Sequence, residues 1–510
     1  MAKTLRLILG DQLNYNHSWF ETANDKVTYL MAEVHEEATY TKHHIQKISG
    51  FFLAMRKFSA WLTEEGHQVI YIPLNENKHE SFESLVPAII EKHNFERFEY
   101  QFPDEYRLDE QLKQVEKNIS VDSKSVDSEH FLSERGDLEA FFKGKKQYLM
   151  ESFYRDMRKK HNIMMNGKEP VTGKWNYDGE NRKKLPKNQS IPKPLSYKHD
   201  VTDIVTMING EGIETIGEIH PKRFIWPANR KESLELLTFF VEKCLPDFGK
   251  FQDAMTTSDW SLFHSRLSFS MNTKMLSPIE VVERAIEEWK AREEEITIAQ
   301  IEGFVRQIIG WREFMRGIYW AKMPEFASMN FFEHENPLPE WYWTGDTKMK
   351  CLNHSINQSL EYAYAHHIQR LMVTGNFALL AGVNPDELDQ WYLGIYIDAL
   401  EWVEITNTRG MSQFADGGIV GTKPYVSSAS YMHKMSHYCS QCHYDHKKKT
   451  GENACPFNSL YWHFYHRHQD KLGKNPRIGM MYRIWEKMGS EKQNDLLNQA
   501  EKYLENMNSL

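Results

Sequence analysis

Short apolar runs alternate with longer amphipathic ones over the first quarter of the chain. Leu5-Arg-Leu-Ile-Leu9 reads as a buried parallel strand ended by Gly10-Asp11-Gln12; residues 27–32 repeat the pattern and end at Glu33. Residues 69–72 and 98–102 supply a third and a fourth strand. Between them Ile48, Phe51, Phe52, Met55, Phe58 and Leu62 recur at helical spacing, and 82–90 is helical as well. Strand and helix in alternation predict an α/β doubly wound (Rossmann-like) domain over residues 1–132. A connector over 133–220 leads to residues 221–510, where helical patterns dominate, strand patterns vanish and an all-α domain is predicted. There Ser277-Pro278 marks a helix start, with Ser as N-cap and Pro at the first helical position. Ile301, Phe304, Val305 and Ile308 share a helical face with Arg312, a stripe-ending arginine that calls for an anionic partner. Leu360, Tyr364, His367 and Leu371 fall on one face of a helix opened by Cys351 and closed by Gly375. That spacing turns His367 inward and rotates His366 about 100° away from it.

Composition narrows the class. A chain of 510 residues is too long for one simple core and divides into two or three domains. No apolar run reaches the roughly 18 residues a membrane span needs, and the N-terminal residues lack a signal-peptide core, so a cytoplasmic protein is expected. The 14 Trp, 24 Tyr and 28 Phe exceed what a core requires and suit stacking on flat ligands or bases. A net charge of −9 argues against nucleic acid, but its distribution does not. Residues 155–187 hold ten Lys and Arg against four Asp and Glu, with Trp175 and Tyr177 interleaved. Basic residues with aromatics meet phosphates and bases, which singles out Lys159, Lys160, Lys174, Trp175, Arg182, Lys183 and Lys184; solvated surface is the plainer use of such a run.

The cysteines carry the sharpest chemistry. Tyr438-Cys-Ser-Gln-Cys442 followed by Cys455-Pro456 puts Cys439, Cys442 and Cys455 at metal-ligand spacing. A fourth ligand must come from elsewhere, and Cys351, at the start of a helix, suits it better than Cys244 in an apolar segment. Four thiolates select zinc or an iron–sulfur cluster; the Cys-Pro ending resembles iron–sulfur runs. Gly10, Asp11, Glu33 and Glu37 lie at strand ends, where doubly wound folds bind ligands. They are either acceptors for a small polar heterocycle or solvated loop carboxylates. The adjacent His366 and His367 fit proton chemistry or satisfied core positions. The glycine-rich loop 414–425, ending at Tyr425, allows close backbone approach to a ligand.

At these residues the chain resembles a family. Trp311-Arg312-Glu313-Phe314 is similar to the W-R-E-F core of the flavin domain of photolyases and cryptochromes. His264-Ser265-Arg266-Leu267-Ser268 resembles their S-x-L-S phosphate loop, and Trp341 with Gly345 and Thr347, spaced one residue wider, resembles their W-x-x-G-x-T turn. With four cysteines the resemblance narrows to the iron–sulfur branch of prokaryotic (6-4) photolyases. It implies an N-terminal antenna domain and a helical FAD domain. It also implies a [4Fe–4S] cluster on Cys351, Cys439, Cys442 and Cys455, and a 6,7-dimethyl-8-ribityllumazine antenna near Gly10, Asp11, Glu33 and Glu37. FAD would meet Ser265, Arg266, Leu267, Ser268, Trp311, Arg312, Arg370, Asp398 and Glu404. Trp391, Tyr392 and Trp343 would relay electrons, or else simply pack the core. His367 would donate a proton with His366 beside it, and Tyr425 would hold a lesion flipped out of UV-damaged DNA, with a divalent cation near the DNA. A monomer that joins the nucleoid when bound to DNA is implied. Four positions depart from the family pattern: Phe269 replaces a proline, Ile308 an acid and Glu404 an asparagine, and Leu371 stands where animal enzymes have a second histidine. The competing readings are a signalling cryptochrome without repair activity, and an iron–sulfur nucleic-acid module resembling the primase large subunit, which would bind no flavin.

Overall fold

A computed structural model describes residues 2–145 and 147–510. Its N-terminal part is built on β1 (Thr4–Leu7), β2 (Val27–Ala32), α1 (Ile45–Glu64), β3 (Gln68–Ile72), α2 (Phe82–His93), β4 (Arg97–Gln101), α3 (Tyr106–Asn118) and β5 (Asp122–Val126). All neighbouring strands are parallel, in the order β3-β2-β1-β4-β5. The pleat sends alternate residues to opposite faces. Tyr29 and Met31 pack under α1 with Phe52, Met55 and Phe58, while Leu30, with Leu5 and Leu7, packs under α2 and α3 with Leu85, Ile89 and Leu112. Fully burying one such side chain is worth ~1.5–3 kcal/mol, so both faces at the sheet centre are apolar; β2 is buried throughout, whereas β4 (Arg-Phe-Glu-Tyr-Gln) alternates apolar and polar residues. The edge strand β5, of sequence Asp-Ser-Lys-Ser-Val, stays largely exposed and carries no apolar signal.

The connector begins with α4 (Met150–Lys160) and runs through a two-stranded hairpin at Met165–Asn166 and Glu169–Pro170. Beyond it the chain is helical. The expected helix start at Ser277 is present: α5 (Pro278–Ala291) opens with a reciprocal capping box between Ser277 and Glu280. Next comes α6 (Ile298–Val305), which continues as a wide π-helical turn over Arg306–Arg312. Similar turns occupy Gln369–Gly375 and Thr406–Ser412. Such turns shift side-chain phase within a helix and cluster at functional sites.

The helix expected from Cys351 to Gly375 is two segments. Here α7 (Lys350–Tyr362) ends at Ala363, whose backbone is left-handed with φ 52°, and its N–H returns to Ser359 O at 2.9 Å. Tyr364, Ala365 and His366 run irregularly before the chain coils again. The stripe Leu360, Tyr364, His367, Leu371 therefore does not exist. His366 is the buried histidine and His367 the exposed one, the reverse of the helical expectation. The remaining helices used below are α8 (Pro385–Ile395) and α9 (Pro456–Arg467). Among the described residues no helix is long and apolar enough to cross a membrane.

Candidate active site

Arg370, on the π-helical turn after the break, donates to both oxygens of Asp398, at 3.0 and 3.2 Å. Ser268 Oγ adds a 2.5 Å bond to Asp398 Oδ2, and Glu404 stands 3.9 Å from the same guanidinium. Burial pushes the Glu404 carboxyl up, against the pull of Arg370 and of Thr408, whose hydroxyl donates at 2.9 Å. The Arg370 guanidinium lies 3.7 Å from the Tyr396 ring centroid. The fold thus brings together Ser268, Arg370, Asp398 and Glu404, which lie far apart in the chain.

Beside this group stand the histidines. The His366 ring stacks on His264 with centroids 4.4 Å apart and planes within 10°. Neither His366 nitrogen has a partner, nor has His264 Nε2, although all are buried. Unpartnered buried nitrogens that converge mark a site for something polar. His367 is exposed, and its ring feels the Arg370 guanidinium. Burial, and then Arg370, lower His367 to about 4, so its ring is neutral at pH 7. Burial also lowers His264, to about 3.

The other motif residues take different places. Arg312 finds no close carboxylate: Glu313 is 3.7 Å away, and the guanidinium instead meets His130 Nε2 at 3.0 Å and lies over the Phe131 and Trp402 rings. Burial lowers it to about 10. Trp311 packs edge-on against Phe314. Arg266, with φ 56°, turns onto Leu195 O at 2.8 Å and the Trp260 ring; Leu267 is buried, and Ser265 accepts from its N–H at 3.4 Å. The aromatic series is tight: Trp391 is wholly buried, 5.1 Å from both Tyr392 and Tyr342, and Tyr392 lies 5.7 Å from Tyr396. Trp343 is exposed, beside Lys42 and Gly217. Tyr342 and Tyr396, which sequence reading passed over, connect this series to Arg370; a lone tyrosine in an apolar stretch gives no signal of it.

The strand ends divide. Glu33 is spent inside the fold: it accepts from Tyr71 OH (2.6 Å), from Arg56 Nε and Nη2 (2.8 and 3.2 Å) and from the Leu74 N–H (3.0 Å). Asp11 is taken by Lys274, a buried lysine that also binds Asp104 at 2.6 Å; burial against that partner brings the Asp11 carboxyl up to about 6. Gly10 lies under Met55 and Phe51. Only Glu37 remains at the rim, in a bidentate pair with Arg107 at 2.7 and 2.8 Å.

Four thiols converge at the far side of α7. Burial, and then Cys455, Cys442 and Cys439 in turn, raise the Cys351 thiol well above its ordinary value. Cys351 lies in the first turn of α7, Cys455 caps α9, and the Lys350 N–H points at Cys442 Sγ from 3.5 Å. Cys244 belongs to a separate apolar cluster.

Along the connector several cations are already paired: Lys160 with Asp137, Lys174 with Glu180, Arg182 with Asp178. The Trp175 ring is covered by Arg155, Arg158 and Lys159 at 5.1–5.5 Å, so it stacks on cations of its own chain. Lys183 is exposed, and Lys184 donates to His433 O at 3.1 Å. Arg182 and Asp178 are also the charges nearest the Tyr425 hydroxyl, which joins connector and glycine-rich loop at one edge.

Residues 6–224 match the family model described as deoxyribodipyrimidine photo-lyase-related protein. A (6-4) photolyase of Agrobacterium fabrum is 41% identical over 511 residues, covering 98% of this chain and 99% of that protein. The uncharacterized protein R855 of Acanthamoeba polyphaga mimivirus is 32% identical over 107 residues, 21% of this chain and 80% of its own. Two solved structures share the fold at low identity. A bacterial class III photolyase from Agrobacterium tumefaciens has TM-score 0.55 at 16% identity, over 83% of this chain and 82% of that one. The cryptochrome of Synechocystis has TM-score 0.56 at 12% identity, over 97% and 93%. With near-complete coverage at 41% identity, the chain belongs to the photolyase/cryptochrome family, on its bacterial (6-4) photolyase branch.

Proposed function

We propose that the protein reverses UV-induced (6-4) pyrimidine-pyrimidone photoproducts in DNA, driven by light. The observation that carries this reading is an exposed His367 whose ring feels Arg370, itself paired with Asp398. No side chain is a strong enough reductant for the reaction; bound FAD supplies the electron when light excites it. Arg370, Asp398, Glu404 and Ser268 fit the polar edge of a flavin: one cation and two carboxylates, held rigid by mutual bonds. His366 fits as well, since both of its buried nitrogens lack partners.

The remaining work belongs to the chain. His367 rests neutral. The phosphates of bound DNA and the negative charge developing on the lesion raise its proton affinity, so the ring carries a proton into the step only with substrate in place. His366, stacked on His264, fixes the backbone from which His367 projects. Tyr425 holds the extruded base at the connector edge; extrusion is cheaper for a damaged pair than for an intact one. Trp391 and Tyr392 carry electrons inward, with Trp343 at the surface end. Cys351, Cys439, Cys442 and Cys455 hold a [4Fe–4S] cluster, and the Glu37–Arg107 pair at the rim offers polar groups to a lumazine antenna. The protein acts as a cytoplasmic monomer, and Lys159, Lys183 and Lys184 meet phosphates.

Illumination of the reduced flavoprotein with an oligonucleotide carrying one (6-4) lesion tests this. Loss of the lesion in light and not in darkness is expected. His367→Ala should lower turnover by roughly a hundredfold or more while lesion binding stays close to wild type, since a general acid acts in the transition state. An intact lesion after illumination would leave the signalling reading in its place.

A further inference from the structure

The cysteine-bearing loop is itself strongly basic. Residues 433–449 hold four lysines and four histidines against a single acid, Asp445. Lys434, Lys447, Lys448 and Lys449 are all exposed, as are Lys183, Lys184 and Lys187 of the connector. Among the described residues none of these seven lysines has a carboxylate within ion-pairing distance, whereas Lys160, Lys174 and Arg182 nearby are each paired.

The two groups meet in space. Lys184 Nζ donates to the His433 carbonyl at 3.1 Å, and Lys184 and Lys447 are both among the charges that bear on the His433 ring. Lys184 and Lys187 bear likewise on His437. His433 stacks on His446 with centroids 4.0 Å apart, and one nitrogen of each ring lies within 4.8 Å of Cys439 Sγ. A continuous cationic track therefore starts at Arg182, next to Tyr425, follows Lys183, Lys184 and Lys187, and crosses the outside of the four-cysteine site to Lys447–449. Seven exposed, unpaired lysines in a protein of net charge −9 make a local positive field that attracts a polyanion.

We propose that this track is a second DNA-binding surface: the phosphate backbone of the duplex flanking the lesion runs over the cysteine loop. The inference rests on the repair reading only for the position of the lesion at Tyr425; the charge itself asks for a phosphodiester backbone whatever reaction follows. Sequence readout is not expected, since lysines contact phosphate and not base edges.

The test uses the holoprotein with undamaged duplex in darkness, so its outcome does not depend on repair. Affinity is measured against salt for wild type, for Lys447→Ala/Lys448→Ala/Lys449→Ala and for the corresponding triple arginine variant. Each phosphate no longer neutralised should flatten the slope of log K against log salt by about 0.9, so the alanine variant loses up to about 2.7 and the arginine variant keeps the wild-type slope. Because those lysines lie between two cysteines, Lys187→Ala/Lys434→Ala, outside that stretch, is measured as well and should lose up to about 1.8. A wild-type slope in this double variant overturns the proposal, as does a wild-type slope in a triple alanine variant that retains its metal.

Discussion

Residue identity alone says little about the five cysteines; their surroundings separate them. Cys351 feels three other thiols, while Cys244 sits in an apolar cluster where burial pushes its thiol up to about 12. A buried thiol of that kind is inert, and a set of four is a soft donor set of the kind that suits a metal. Cys455→Ser should therefore remove iron and acid-labile sulfide and lower the yield of folded protein, because metal binding in such sites is folding free energy. Cys244→Ser should leave the iron content at the wild-type level. Metal analysis of the wild type should find iron, and zinc without iron would overturn the cluster. The carboxylates sort in the same way. Glu33 and Glu37 are both strand-end acids in the sequence, but four donors fill Glu33 and one arginine holds Glu37. Spacing finds the position, and only packing reveals whether the acid is spent.

At the scale of elements, the break after α7 decides which histidine is buried. Ala363 adopts a left-handed conformation at the helix C-terminus, the place where glycine is usually favoured. A left-handed alanine costs ~1 kcal/mol that glycine avoids. Ala363→Gly should thus raise stability by up to about 1 kcal/mol, measured by denaturant unfolding. On an unbroken helix the same change would lower it by a similar amount, since glycine costs ~1 kcal/mol in a helix interior. The sign of the result distinguishes the two. This break was illegible in the sequence: Tyr362-Ala-Tyr-Ala-His366 contains no Gly or Pro, and its apolar positions fit a helical period by coincidence. The π-helical turns at Arg306–Arg312, Gln369–Gly375 and Thr406–Ser412 were equally silent, because each shifts phase by one residue and the single glycine in each also fits an ordinary helix. By contrast β2 was legible because burial on both faces forces an apolar run, and α5 because its capping box is a local signature. The polar edge strand β5 had neither signal.

Across the whole molecule, charged clamps add to an apolar seam between the α/β part and the helices, where Phe51 of α1 meets Phe269 edge-on at 5.5 Å and Phe58 shares a core with Trp226 and Ile397. Lys274 reaches from the helical part to Asp11 and Asp104, at the ends of β1 and β4 where the strand order reverses. Glu232 makes a second clamp: it binds Lys57 of α1 at 3.2 Å, His199 of the connector at 3.1 Å and the Ala228 N–H at 2.8 Å. Neither clamp could be read from the sequence, since its partners lie tens to hundreds of residues apart. Burial alone would raise the Glu232 carboxyl, but His199, the Ala228 N–H and Lys57 outweigh it and hold it at about 2. A depressed carboxyl contributes stability that is complete above its unfolded value and is lost as pH falls toward the folded one. The window runs from about pH 4.5 down to about 2. Glu232→Gln should melt at a lower temperature than wild type at pH 6, because the uncharged amide forms no ion pair with Lys57 and is a weaker acceptor for His199 and the Ala228 N–H. The difference should shrink as pH falls through that window, where the wild-type carboxyl takes up its proton and loses the same interactions. Thermal unfolding of both proteins at several pH values measures it, and a gap that stays constant from pH 6 to pH 3 would show that Glu232 contributes packing and not charge.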